Sequence, residues 1–166
     1  QFDPFALTPY YNIALCDALA DAGCDVRYVT SRYAYDSIQD AKKFFVDELY
    51  FPRQSGLSFQ LWRKAYKLLS YGFGHQAFLK SLEANRPDIV HFQWSRLPSI
   101  DLPLVQKIKA LGIPFVHTIH DVEPLFSYAH VQRLATIYNV ADKLIVHGQA
   151  NLMELLKKHP SIIESK

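Results

Sequence analysis

The side chains best suited to chemistry in this sequence follow apolar segments. His120 and Asp121 come directly after PFVHTI, and Gln93, Trp94 and Arg96 come directly after DIVHF. A neutral imidazole can donate a hydrogen bond to a phosphate or hydroxyl group, and an indole can stack on a sugar ring or a base. A third apolar segment, KLIV, ends in the same way with His147, Gly148 and Gln149. The recurrence of such endings predicts a shared ligand-binding cleft, with His120 and Asp121 as candidate catalytic residues.

Each of these residues also has a structural explanation. His120 could be a loop or helix-capping histidine, but we favour the functional interpretation. Asp121 is equally compatible with a carboxylate that caps a turn, and Trp94 with a core residue. For Arg96 we favour a solvated surface residue. His91 and His117 lie inside apolar segments, and for them we favour hydrogen-bonded core positions.

A metal site is the chemical alternative, because HTIHD supplies two imidazoles and one carboxylate. Side chains alternate along an extended strand, so His117 and His120 are expected on opposite faces. No other group of residues has ligand spacing. The sequence therefore predicts a site without metal.

The elements that would position these residues alternate between helix and strand. Helices are predicted at 9–22, 58–85, 102–112, 130–141 and 150–159, and strands at 25–30, 44–51, 88–93, 114–120 and 143–147. Thr8 is the predicted cap of the first helix, Gly23 its stop, and the long second helix is expected to break at Tyr71–Gly74. The last three strands are nearly continuous apolar runs, which is typical of parallel strands covered by helices on both faces. The predicted fold is a single α/β domain with a doubly wound, Rossmann-like parallel sheet, whose ligands bind at the carboxyl ends of the strands.

The amino-terminal residues do not fit this pattern well. A doubly wound unit opens with a strand, and QFDPFA is short and interrupted by proline. We therefore expect that the first strand precedes Gln1, and that QFDPFAL is the loop joining it to the first helix.

Composition excludes several classes of function. The chain has 166 residues, 49% of them hydrophobic, and a formal net charge of +2. That charge is too small, and too evenly spread, for nucleic-acid binding. Cys16 and Cys24 form no metal or redox motif and are expected as reduced thiols of a cytoplasmic protein. No hydrolase elbow, Walker loop or Gly-x-Gly-x-x-Gly fingerprint is present.

One aromatic and partly basic stretch, Ser58 to Phe73, has two interpretations. Leu61, Trp62 and Leu69 beside Arg63 and Lys64 would suit a helix lying on a membrane surface. A helix packed on the sheet explains the same pattern, and we favour packing.

Four segments resemble successive blocks of one protein family. The sequence is similar to the N-terminal domain of a retaining, family-four-type glycosyltransferase with the GT-B fold. The blocks are PYYNIALCDALADAGCDVRYVTS, RPDIVHFQW, GIPFVHTIHDVEP and ADKLIVHGQANLMELLKKH.

This resemblance implies the acceptor-binding half of a two-domain enzyme, with the donor-binding, C-terminal domain absent and residues 1–166 forming the N-terminal domain. A nucleotide-sugar would be bound mainly by that second domain, and a sugar or glycolipid acceptor by this one. The family generally needs no metal or other cofactor and has no established protein nucleophile. It brings the acceptor hydroxyl to the activated sugar and stabilises the departing diphosphate.

The resemblance also suggests roles for particular residues. His120 matches the family's histidine near the sugar and phosphates, and Asp121 the acidic or small residue after it. Gln93 and Trp94 fall among the acceptor contacts, with Arg96 beside them, and His147 and Gln149 where polar residues face the opposite domain. The loop Phe5 to Thr8 matches a segment that is usually rich in glycine, and here it contains none. Thr8 is a predicted substrate contact, but without these glycines the loop is not expected to wrap closely around the donor phosphates.

Two functions follow. The first is the acceptor-binding half of a cytoplasmic sugar transferase in polysaccharide or glycoconjugate assembly, inactive in isolation. The second is a non-catalytic α/β module that binds a nucleotide or a partner protein.

Overall fold

The computed structural model describes residues 1–31, 43–51, 60–122 and 128–160. The chain divides into two compact units, Gln1–Ala84 and Asn85–Lys166. Strands and helices alternate through most of each unit, so the predicted α/β class is confirmed.

The described residues of the first unit form three strands and two helices. In chain order they are β1 (Phe2–Asp3), α1 (Pro9–Asp21), β2 (Arg27–Ser31), β3 (Phe45–Tyr50) and α2 (Gln60–Ala84). The strand order is β3-β2-β1, and both pairings are parallel. Phe2 pairs with Val29 and is 1% exposed.

The assignment of QFDPFAL to a loop is therefore wrong for Phe2 and Asp3, which form β1 themselves. Two residues are enough here because the pairing is reinforced on either side. The Val29 backbone N–H donates to the Gln1 carbonyl oxygen, and the Thr30 hydroxyl donates to the Asp3 carbonyl oxygen. No amphipathic pattern can be read in so short a strand.

The Asp3 carboxylate organises the start of α1. Its Oδ2 accepts hydrogen bonds from the backbone N–H groups of Leu7 and Thr8 and from the Asn12 amide. Thr8 is the N-cap residue and Pro9 the first helical residue, as predicted, but the Thr8 side chain does not cap the helix. Burial raises the pKa of Asp3 to about 6, although these hydrogen bonds oppose the rise.

The predicted break in α2 at Tyr71–Gly74 is also wrong, since the helix continues to Ala84. Gly74 serves packing instead: a Cβ placed there would lie 2.4 Å from two ring carbons of Tyr50. The Tyr50 ring is fully buried, and its hydroxyl is 3.0 Å from His75 Nδ1. Glycine therefore lets strand β3 approach the helix closely.

The second unit repeats strand and helix regularly. Its elements are β4 (Val90–Phe92), α3 (Pro98–Ala110), β5 (Phe115–Ile119), α4 (Tyr128–Val140), β6 (Lys143–Val146) and α5 (Gln149–Lys158). The strand order is β4-β5-β6, with parallel pairing throughout. Consecutive parallel strands need crossovers, which α3 and α4 supply. The carboxyl ends of all three strands therefore lie at one edge of this unit.

A hydrophobic cluster lies beneath that edge. It contains Ile119, Val122, Leu134, Tyr138 and Leu155, from the end of β5 and from helices α4 and α5. Burying apolar side chains of this size contributes roughly 1.5–3 kcal/mol each. The cluster thus anchors the end of β5, directly before His120.

Candidate active site

A cavity of about 140 Å³ opens at the carboxyl ends of β4 and β5. Five predicted site residues line it: Gln93, Trp94, Arg96, His120 and Asp121. The structure adds lining residues that the sequence did not single out for binding, including Ser95, His117 and Thr118 from the strand ends and Leu134 and Tyr138 from α4. The two α4 residues were missed because they occupy the apolar stripe of a helix, where core packing is the default interpretation.

The His120 ring is held on three sides. Its face stacks on the Trp94 indole, with ring centroids 4.6 Å apart and planes 10° from parallel. Its Nε2 lies 3.0 Å from Gln93 Oε1, and its Nδ1 lies 2.9 Å from His147 Nε2. Residues from the ends of β4, β5 and β6 are thereby brought together, as the sequence predicted.

The environment of His120 favours the neutral imidazole. Burial and, to a smaller extent, the neighbouring His147 lower the pKa of His120, and Asp121 opposes both, which leaves a pKa of about 4. Near pH 7 the ring is therefore uncharged. A neutral imidazole has one N–H group that can donate a hydrogen bond and one nitrogen that can accept one.

Gln93 is more buried than a simple substrate contact would be. Its side chain is 1% exposed, and its amide oxygen and nitrogen lie beside His120 Nε2 and His91 Nε2 respectively. Gln93 thus supports the histidines from behind while it lines the cavity.

His117 and His91 occupy different settings within the strands. His117 is buried, and its Nε2 lies 3.2 Å from Ser95 Oγ, as expected of a core histidine. His91 is half-buried, and its Nε2 lies 2.7 Å from the Thr118 hydroxyl.

His117 and His120 both line the cavity, contrary to their expected placement on opposite faces. The reason is that β5 ends at Ile119, so strand alternation no longer governs His120. Among the residues that the structure describes, no group of three or more His, Cys, Asp or Glu side chains could hold a metal ion.

The remaining predicted residues lie away from the cavity wall. His147 is exposed and joins the site through its contact with His120. Gln149 is the first residue of α5 and is exposed. Thr8 belongs to the first unit, where its backbone N–H donates to Asp3.

Comparison with known proteins identifies the class. The model of Glycosyltransferase Family 4 matches residues 10–162. This match covers most of the chain, so the protein belongs to glycosyltransferase family 4. No curated protein sequence matches it significantly.

A solved structure shows the same fold. The crystal structure of Arabidopsis thaliana UGT89C1 complexed with UDP-L-rhamnose matches with a TM-score of 0.55 and 14% sequence identity. The match covers 98% of this chain and 46% of that one, so this chain spans about half the length of its structural neighbour. The predicted fold, a Rossmann-like half of a GT-B glycosyltransferase, is confirmed.

In the described part of the chain, no helix is both long enough and apolar enough to cross a bilayer.

Proposed function

We propose that this chain is the acceptor-binding half of a retaining, hexosyl-type glycosyltransferase. The enzyme transfers a sugar from a nucleotide-sugar to a glycan, a lipid-linked or a small-molecule acceptor, in polysaccharide or glycoconjugate assembly. Membership of glycosyltransferase family 4 supports this proposal. So does the bound UDP-sugar of the structural neighbour, which is a donor of the proposed kind.

The observation that carries the proposal is the stacked pair of Trp94 and His120 in the wall of the cavity. An indole surface suits the apolar face of a sugar ring, and polar groups beside it can fix the ring's orientation. Arg96 and Asp121, both exposed, add one charge of each sign at the cavity wall.

The proposed mechanism relies on positioning and electrostatics. The cavity orients an acceptor hydroxyl towards the activated sugar held by the second domain, and neutral His120 shares its one N–H group between Gln93 and the sugar or its phosphates. Asp121 accepts hydrogen bonds from acceptor hydroxyls. Gln149 contacts substrate from the start of α5, with His147 beside His120, and Thr8 stays a predicted substrate contact of the first unit. Isolated, residues 1–166 hold one wall of the cleft and do not turn over.

A transfer assay tests this proposal. The protein, extended to include the proposed donor-binding domain, is incubated with radiolabelled nucleotide-sugars and with glycan or lipid-linked acceptors. The expected result is transfer from one donor, with the anomeric configuration of the donor retained in the product. A protein that binds a nucleotide or a partner but transfers no sugar from any donor would instead be a non-catalytic module.

We further propose that the protein works at the cytoplasmic face of a membrane and contacts it through α2. Leu69 and Phe73 lie one helical turn apart, and they are 64% and 71% exposed. Leu68 is 53% exposed beside them, whereas Tyr71 is fully buried and packs inward. Ser58 and Phe59, the start of the predicted surface stretch, lie outside the described residues.

Vesicle binding tests this contact. Leu69→Glu and Phe73→Glu are expected to reduce co-sedimentation with anionic phospholipid vesicles, because each places a carboxylate on the apolar patch. Gln76→Glu, at an exposed position of the same helix, is the matched control. Equal binding by all three variants would remove α2 from the proposal.

A further inference from the structure

Hydrogen bonds link the polar residues of this edge into one continuous chain. The Thr118 hydroxyl lies 2.7 Å from His91 Nε2, and Gln93 Nε2 lies 3.3 Å from the same nitrogen. From Gln93 the chain continues to His120 and then to the exposed His147. It therefore leads from the buried strand ends to the surface.

The Gln93 amide sets the direction of this chain. An amide oxygen can only accept, so the proton between Gln93 Oε1 and His120 Nε2 belongs to His120. A neutral imidazole has a single N–H group, so His120 Nδ1 is an acceptor, and His147 Nε2 must donate to it. At the other end the Gln93 NH₂ group donates to His91 Nε2.

We propose that Gln93 is a positioning residue that holds His120 in its Nε2–H tautomer. In this tautomer His120 Nδ1 is an acceptor, and His147 Nε2 donates to it across 2.9 Å. The two histidines thus form a hydrogen-bonded pair with a fixed donor and a fixed acceptor.

Several described groups influence this pair. Asp121 favours protonation of His120, whereas burial and the neighbouring His147 oppose it. Arg96, His117 and Tyr138 line the same cavity. His91 faces the pair through Gln93 and is itself kept neutral by burial, which lowers its pKa to about 4. Asp121 is the one carboxylate among these groups, and it favours a positive charge at the pair.

The pair defines a ligand chemistry, and this step rests on the proposed function. The imidazole N–H groups of this pair suit a phosphate-bearing group, such as the diphosphate released in sugar transfer.

Histidine tautomers can be measured without any substrate, by two-dimensional NMR that correlates ring carbon-bound protons with ¹⁵N in the labelled protein. We expect His120 to show a protonated Nε2 and an unprotonated Nδ1 at neutral pH. Gln93→Met is expected to abolish this preference and give a mixture of tautomers. Gln93→Glu should restore it, since a carboxylate also accepts from Nε2–H. Gln106→Met, the same change at an exposed position of α3, should leave the spectrum of His120 unaltered.

A dominant Nδ1–H tautomer of His120 in the unmodified protein would overturn the proposal, because it reverses the direction of the chain. So would an unchanged tautomer in a folded Gln93→Met variant.

If that variant does not fold, His147 provides the test, because its side chain is exposed. His147→Leu, which removes the donor to Nδ1, should shift the acid titration of the His120 ring, and His147→Asn should shift it less. A His120 titration that is the same in both variants as in the unmodified protein would contradict the hydrogen bond between His147 and His120. These readouts are independent of sugar transfer, so a protein that shows the tautomer but transfers no sugar rejects only the proposed function.

Discussion

The imidazole of His120 has a stacking partner and a hydrogen-bond partner for each ring nitrogen, all supplied by neighbouring strand ends. Such a ring has a fixed orientation before any ligand arrives. Preorganised donors of this kind cost no reorganisation during the reaction, which makes them effective in catalysis. At the residue scale, the site is thus defined by contacts among its members as much as by their exposure.

Two kinds of buried titratable group act in opposite directions on stability. His91 and His120 have pKa values lowered to about 4, so the unfolded chain binds more protons than the folded one between about pH 4 and 6.5. Their contribution to stability is present above that window and is lost as the pH falls through it. Asp3 has a raised pKa of about 6, so its contribution is present at low pH and is lost as the pH rises from about 4 to 6.

Asp3→Asn isolates the second effect. The variant no longer has a carboxyl group that must ionise while buried. As the pH rises from 4 to 7, its free energy of unfolding should therefore increase relative to that of the unmodified protein, by on the order of 3 kcal/mol. Urea denaturation at the two pH values measures it, with Asp88→Asn, at an exposed position, as the control. A difference between variant and parent that does not change with pH would contradict the buried ionisation.

The residues of the site were largely predictable, whereas their contacts were not. His120, Asp121 and Trp94 follow apolar runs, and parallel strands place such residues at a common edge. The sequence does not reveal that Gln93 lies buried between two histidines. One of these hydrogen-bond partners, His120, is 27 residues away in the sequence. Leu134 and Tyr138 were missed since a helix stripe looks the same whether it lines a cavity or fills a core.

At the element scale, two glycines of α2 distinguish the conformational cost of glycine in a helix from its role in packing. Gly74→Ala is expected to destabilise the protein by about 1–3 kcal/mol, because its Cβ would overlap the buried Tyr50 ring. Gly72→Ala should instead stabilise it by up to about 1 kcal/mol, since nothing lies within 4 Å and alanine favours a helix. Thermal unfolding of the two variants provides the comparison. A loss of stability in both would show that the glycines matter for some reason other than contact with Tyr50.

The same glycines explain why the break in α2 was predicted wrongly. Gly72 and Gly74 within four residues predict an interruption, but a helix tolerates glycine where tertiary packing stabilises it. The missed strand β1 has the opposite cause, since two residues carry too little pattern to be recognised and only pairing with β2 reveals them. In the second unit, strands β4, β5 and β6 lie within their predicted ranges because clear turn residues bound their apolar runs, whereas α3 begins at Pro98, four residues before its predicted start at Leu102.

At the scale of the whole molecule, the structural match covers 46% of the UGT89C1 chain. On the proposed function, we expect residues 1–166 alone to bind acceptor without transferring sugar, and a longer protein that also carries the proposed donor-binding domain to do both. Parallel binding and transfer assays on the two proteins test this expectation. Turnover by residues 1–166 alone would show that the second domain is dispensable for the reaction.

The most direct measurement of the central claim is the transfer rate of His120→Ala in the protein with both domains, beside Gln106→Ala as a control at an exposed position of α3. We predict a fall of at least about 10²-fold for His120→Ala, the loss expected when a preorganised donor is removed, with circular dichroism and melting temperature preserved. The control should retain the parent rate. A His120→Ala enzyme that transfers sugar at the parent rate would contradict the account.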